Sequence, residues 1–146
     1  MDFSTFRIVN IYAQSDVNAE SIIVGSRAGL EILKQALELA LEYEESSCRV
    51  APNDLETYEI KVLINNEPVD SLFWSKMKLP YSELDDRNKE TESPHDYLDY
   101  GVRNSEDLQR VEHLMKDYKR ISEKIRIQYF VGQKQKKDMY HSDHRS

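Results

Sequence analysis

Apolar and polar residues alternate with a period of two near the start of the chain and again near its middle. Between and after these stretches the period lengthens to that of a helix. Residues 6–13 (Phe-Arg-Ile-Val-Asn-Ile-Tyr-Ala) are rich in β-branched and aromatic side chains and predict a strand. A polar turn leads to a second strand at residues 21–24, and the short link predicts an antiparallel hairpin. Residues 27–43 predict a helix. Leu30, Leu33, Leu37 and Leu41 form one stripe, with Ile32, Ala36, Leu39 and Tyr43 beside it; Glu31, Lys34, Gln35, Glu38 and Glu42 lie opposite. So wide an apolar arc is expected to lie flat on a sheet. Burial of the leucines should dominate, because surface pairs such as Lys34–Glu38 contribute only about 0.2–0.5 kcal/mol each.

Residues 46–51 predict a short strand closed by the turn Pro52-Asn53-Asp54. In residues 57–64, Tyr58, Ile60, Val62 and Ile64 alternate with Thr57, Glu59 and Lys61, the pattern of a half-buried antiparallel strand. Residues 71–79 are expected to add another strand, with Phe73, Met77 and Leu79 on one face and Trp74 on the other. Residues 81–92 read as an exposed acidic loop. Ser93-Pro94-His95-Asp96 then combines a capping serine, proline at the first helical position and an acid in the first turn, and Gly101 stops that short helix. Asn104 or Ser105 caps a long second helix with Leu108, Val111, Leu114, Met115, Tyr118, Ile121 and Ile125 at roughly heptad spacing. Residues 125–131 fit either a continuing helix, to about residue 130, or a strand. The fold class expected is α+β: an antiparallel sheet of four to five strands packed by one amphipathic helix, plus a long C-terminal helix. A single domain is expected over residues 1–132, followed by a polar, flexible tail over 133–146.

At 146 residues the chain is large enough to bury roughly two-thirds of its extended surface, so a core without cross-links is feasible. Cys48 is the only cysteine, which excludes an internal disulfide and a cysteine-based metal cage. The opening Met-Asp-Phe-Ser-Thr-Phe-Arg lacks the basic flank and apolar run of a secretory leader, and no apolar window approaches the ~20 residues needed to span a bilayer. A reduced cytoplasmic protein is expected. Charge is unevenly placed: residues 1–115 hold 11 Lys/Arg against 23 Asp/Glu, and residues 116–146 hold 9 against 4. An acidic body argues against general nucleic-acid binding, which rests on neutralising phosphates. The basic tail either touches an acidic partner or lies solvated.

The clearest candidate ligand site is Val24-Gly25-Ser26-Arg27-Ala28-Gly29-Leu30, between a predicted strand and a helix N-terminus. Free first-turn amides attract anions, glycines admit a close ligand, and Arg27 adds charge; Gly25, Ser26, Arg27 and Gly29 are therefore candidates for a small phosphorylated ligand. The turn lacks the Gly-Lys-Ser/Thr ending of a P-loop and the third glycine of a dinucleotide fingerprint. The alternative is structural, with Ser26 as an ordinary N-cap and Gly29 permitting close helix–sheet packing.

No catalytic set emerges. His113 has no second histidine four residues on, and Cys48 has no histidine near it in sequence. His141, His144 and Asp143 share the tail, and Glu83, Asp85, Asp86, Glu90 and Glu92 lack the spacing of a calcium loop. Neither metal nor cofactor is expected. Tyr81, Asp85, Asp86, Tyr97, Asp99 and Tyr100 instead suggest an acidic, tyrosine-bearing surface for a basic protein partner. The long helix carries apolar positions on more than one face, which suggests a homodimer. A small, acidic profile without a catalytic motif is similar in general character to bacterial immunity proteins and phage anti-defence proteins. That resemblance implies a non-enzymatic inhibitor or adaptor and carries no residue roles.

Overall fold

A computed structural model describes residues 5–81 and 90–143 of the chain. The elements in order are β1 (Val9–Tyr12), β2 (Ile22–Gly25), α1 (Arg27–Tyr43), β3 (Glu45–Val50), β4 (Tyr58–Leu63), α2 (Leu72–Ser75), α3 (Pro94–Asp99) and α4 (Ser105–Asp143). They divide into two compact units, Met1–Glu92 and Ser93–Ser146.

The first unit holds two antiparallel ladders. β1 pairs with β2 through Val9–Gly25 to Tyr12–Ile22, and β3 pairs with β4 through Glu45–Leu63 to Val50–Tyr58. A single parallel bridge, Ile8–Ala51, joins them: Val9 N–H donates to Ala51 O at 2.8 Å, and Ala51 N–H donates to Arg7 O at 2.9 Å. The expected four- to five-stranded sheet is thus replaced by two two-stranded ladders. The bridge does not lengthen, because Val9 O and Asn53 N–H, which would form its next bond, are both taken. Tyr58 Oη already donates to Val9 O at 2.7 Å, and Asn53 N–H is taken by the side chain of Asn10 at 3.2 Å.

α1 begins and ends where its period predicts, but its inner stripe differs. Gly29, Leu33, Ala36 and Ala40 are buried, while Leu30, Leu37 and Leu41 remain exposed. Small residues line the inner face because the helix backbone comes into direct contact with β3: Ser46 Oγ donates to Ala36 O. Leu33 joins Val9 and Val50 in the core, with Ile32, Cys48, Tyr58 and Ile60 packed around them. The half-buried alternation of Tyr58, Ile60 and Val62 is as the sequence pattern requires. α1 runs straight into β3 through Glu44, whose φ of 75° places a non-glycine residue in the left-handed region.

Residues 71–79 do not form the expected strand. Ser71 N–H closes a turn to Pro68 O at 2.9 Å, and one helical turn follows in α2, burying Phe73. Phe73 and Met77 are also spaced for a helix, so the apolar spacing that suggested a strand is equally met by this turn.

In the second unit, Ser93 Oγ accepts from Asp96 N–H at 3.1 Å, Pro94 starts α3, and Gly101 (φ 70°) follows the helix end. Asn104 caps α4, accepting from Asp107 N–H at 2.7 Å, while the Asp107 carboxylate accepts from Arg103 N–H, one residue before the cap, at 3.0 Å. Residues 125–131 are helical, and α4 continues to Asp143, past the end expected near residue 130. Gln, Lys and Met between Gln133 and Met139 are good helix formers, and no proline interrupts them.

Because left-handed backbone costs a side-chain-bearing residue about 1–2 kcal/mol and glycine much less, Glu44→Gly is expected to stabilise the fold by about 1 kcal/mol. Urea unfolding of the variant and parent measures the difference.

Candidate interaction surfaces

The turn before α1 brings Gly25, Ser26, Arg27 and Gly29 together, and most of its polar capacity is already used. Ser26 Oγ accepts from Gly29 N–H at 3.0 Å and from Ile8 N–H at 3.0 Å, and donates to Phe6 O. Ser26 N–H donates to Ile8 O at 2.8 Å, and Leu30 N–H donates to Ser26 O at 2.9 Å. A methyl group at Gly29 would sit 2.2 Å from Ile8 O, and one at Gly25 would sit 2.5 Å from the same atom. Both glycines therefore make room for the β1 backbone, which accounts for them without a ligand. Beside the turn lies an open depression of about 410 Å³, lined by Gly25, Arg27, Leu30, Glu31 and Lys34. Its cations are at the surface, and Lys34 pairs with Glu38 at 3.9 Å.

The acidic, tyrosine-bearing set is dispersed in its exposure. Asp85 and Asp86 lie outside the described residues. Tyr97 is buried at 2 % exposure and does not present a face. Tyr81 and Tyr100 are half-buried, and Asp99 is exposed. Asp96, on the same helix, lies 3.8 Å from Lys119 of α4. Among the described residues no three His, Cys, Asp or Glu side chains gather closely enough to hold a metal ion. No helix among them is long and apolar enough to cross a membrane.

The sequence pattern did not single out the groove between β1 and the β3–β4 turn. It has a volume of about 320 Å³ and is lined by Val9, Asn10, Ile11, Tyr12, Pro52, Asn53 and Tyr58. Asn10 spans it, donating from Nδ2 to Asn53 Oδ1 at 3.0 Å and to Tyr12 Oη at 2.9 Å. The amide and carbonyl of Ile8 both face Ser26, whereas the amide of Val9 faces Ala51. By strand alternation the backbone groups of Ile11 point the same way as those of Val9, into the groove. The apolar residues of the β1–β2 ribbon nearby, Ile11, Tyr12, Ile22, Ile23 and Val24, are each about half exposed. A paired strand with one open edge and apolar neighbours is a template for another extended chain. Finding it required knowing that β1 leaves β3 after one bridge, which no local signal encodes.

Cys48 and Tyr58 sit on the core face of the β3–β4 ladder. Burial raises the Cys48 thiol above its ordinary 9.0, with Glu59 adding to the rise. Burial also raises the Tyr58 phenol above 10.0, with Cys48 adding to it. No family model, no curated protein and no solved structure matches the chain.

Two outcomes follow from these contacts. Gly29→Ala is expected to destabilise the fold by about 3 kcal/mol, since backbone must move to admit the methyl, whereas Arg27→Ala should change it by less than about 0.5 kcal/mol; thermal unfolding separates the two. Both raised groups favour their neutral forms in the folded chain. Their contribution to stability is therefore complete below about pH 9 and is lost as pH rises through the folded values. Urea midpoints measured between pH 8 and 11 should fall, and the fall should be smaller in Cys48→Val.

Proposed function

We propose that this protein is a non-catalytic interaction protein, an inhibitor or adaptor, that receives an extended segment of a basic protein partner along the open edge of β1. The observation that carries the proposal is the groove beside Ile11, whose backbone donor and acceptor lie, by strand alternation, on the edge away from β2. Ile11, Tyr12, Pro52 and Tyr58 supply side-chain contacts, and the Asn10–Asn53 amide pair supplies polar groups at the floor. The basic character of the partner follows from the excess of Asp and Glu over Lys and Arg in residues 1–115, which speeds encounter with a cation-rich chain and weakens with salt. The acidic stretch that includes Asp85, Asp86 and Asp99 adds to that field. The immunity-protein or anti-defence kind of inhibitor fits the same small acidic profile.

Native mass spectrometry of the protein isolated from its own cells tests the proposal. The parent should carry a bound chain that dissociates as salt is raised, and Ile11→Asp should lose it with an unchanged melting temperature. Equal occupancy in parent and Ile11→Asp, or no bound chain in either, would show that the groove is not the binding surface.

A further inference from the structure

α4 presents a second apolar surface on a different face from its own buried residues. Leu108 and Met115 are buried, at 0 and 1 % exposure. About a quarter-turn around the helix, Val111, Leu114, Tyr118, Ile121 and Ile125 follow one another at alternating steps of three and four residues. Val111 is half-buried, but Leu114, Tyr118, Ile121 and Ile125 are 50, 65, 53 and 61 % exposed. Beyond Met115, every described side chain of the helix except Gly132 is exposed. Five seam positions at this spacing form the stripe of a coiled coil whose second strand is not supplied by the described residues.

We infer that the second strand is α4 of another copy of this chain, packed antiparallel about a twofold axis near Lys119 and Arg120. Charge decides both the occupant and the direction. Residues 105–117 carry four acids and two bases, and residues 118–143 carry three acids and seven bases. Antiparallel packing lays each basic half beside the partner's acidic half, whereas parallel packing sets like against like. In the antiparallel register Tyr118 meets Ile121 of the partner subunit, and Leu114 meets Ile125 of the partner subunit, twice each by symmetry. The flanking positions then oppose Asp117 to Lys124 of the partner subunit, again twice. Asp117 lies 3.4 Å from Arg120 on its own helix, a pair exposed enough to exchange partners. In a parallel pair the flanking positions oppose Asp117 to Ser122 and Lys124 to Tyr129, with no ion pair formed. The exposed seam amounts to on the order of 450 Å² per helix, less than the roughly 800 Å² per partner of a standard complex, so a dimer of micromolar strength is expected.

This surface is distinct from the β1 groove, so the dimer and the partner-binding proposal can fail separately. Sedimentation of the full chain between 1 and 100 µM, with helicity checked by circular dichroism, is the test. The parent should be dimeric at the upper concentrations, and Ile121→Asp should dissociate at least tenfold more readily with helicity retained. Asp117→Lys and Lys124→Asp should each weaken the dimer, and the double substitution should restore it. A monomeric parent at 100 µM overturns the inference. So does a dimer insensitive to Ile121→Asp, and a double charge variant as weak as or weaker than the single ones removes the antiparallel register.

Discussion

The first unit depends on how closely the backbone of β1 approaches the start of α1. Ile8 lies against Gly25 and Gly29 with no space for a side chain at either, and its amide and carbonyl are both bound by Ser26. That contact sets the direction in which α1 leaves β2, and hence where its narrow face of Gly29, Leu33, Ala36 and Ala40 meets β3. The core that results is small. Val9, Leu33 and Val50 are its buried centre, and the helix backbone itself is part of the interface through Ala36. A helix held this close leaves its bulky leucines outside, which is why an apolar arc on α1 does not translate into buried leucines.

The same geometry opens the groove. β1 is committed to Ser26 and β2 on one side, and on the other its strand forms one backbone bridge among the described residues, Ile8–Ala51, just past the end of β3. Tyr58 fills the first position after the bridge by bonding to Val9 O, and nothing in the described residues continues that edge alongside Ile11. Stability and the proposed partner edge are therefore linked through one strand: Ile8 and Val9 lock β1 in place, and Ile11 and Tyr12 line the groove proposed to receive a partner.

Elements governed by local rules were legible in the sequence. Ser26 and the helical period bounded α1, the alternation of Tyr58, Ile60 and Val62 identified β4, and Ser93-Pro94 with Asn104 marked the two later helix starts. Contacts that depend on distant partners were not. The second and third bonds of Ser26 run to residues 18 and 20 positions away, so a glycine-flanked turn designed for packing had the same sequence appearance as one designed for an anion. Residues 71–79 satisfied both strand and helix spacing, and the turn from Pro68 decided between them. Polarity beyond Gln133 suggested a flexible tail, although its lysines and glutamines are also good helix formers. Of the acidic, tyrosine-bearing set, Tyr97 was misplaced because an amphipathic tyrosine looks alike in sequence whether its ring packs inward or outward.

Amide hydrogen exchange along β1, followed residue by residue by nuclear magnetic resonance, tests the central claim most directly. Ile8 and Val9, together with Ser26 and Gly29 across from them, should exchange only through global unfolding, because each amide is bonded within the locked contact. Ile11, facing the groove, should exchange orders of magnitude faster. If Ile11 proves as protected as Val9 in the isolated protein, the edge is already covered and the account of β1 as a strand locked at one end and open at the other is wrong.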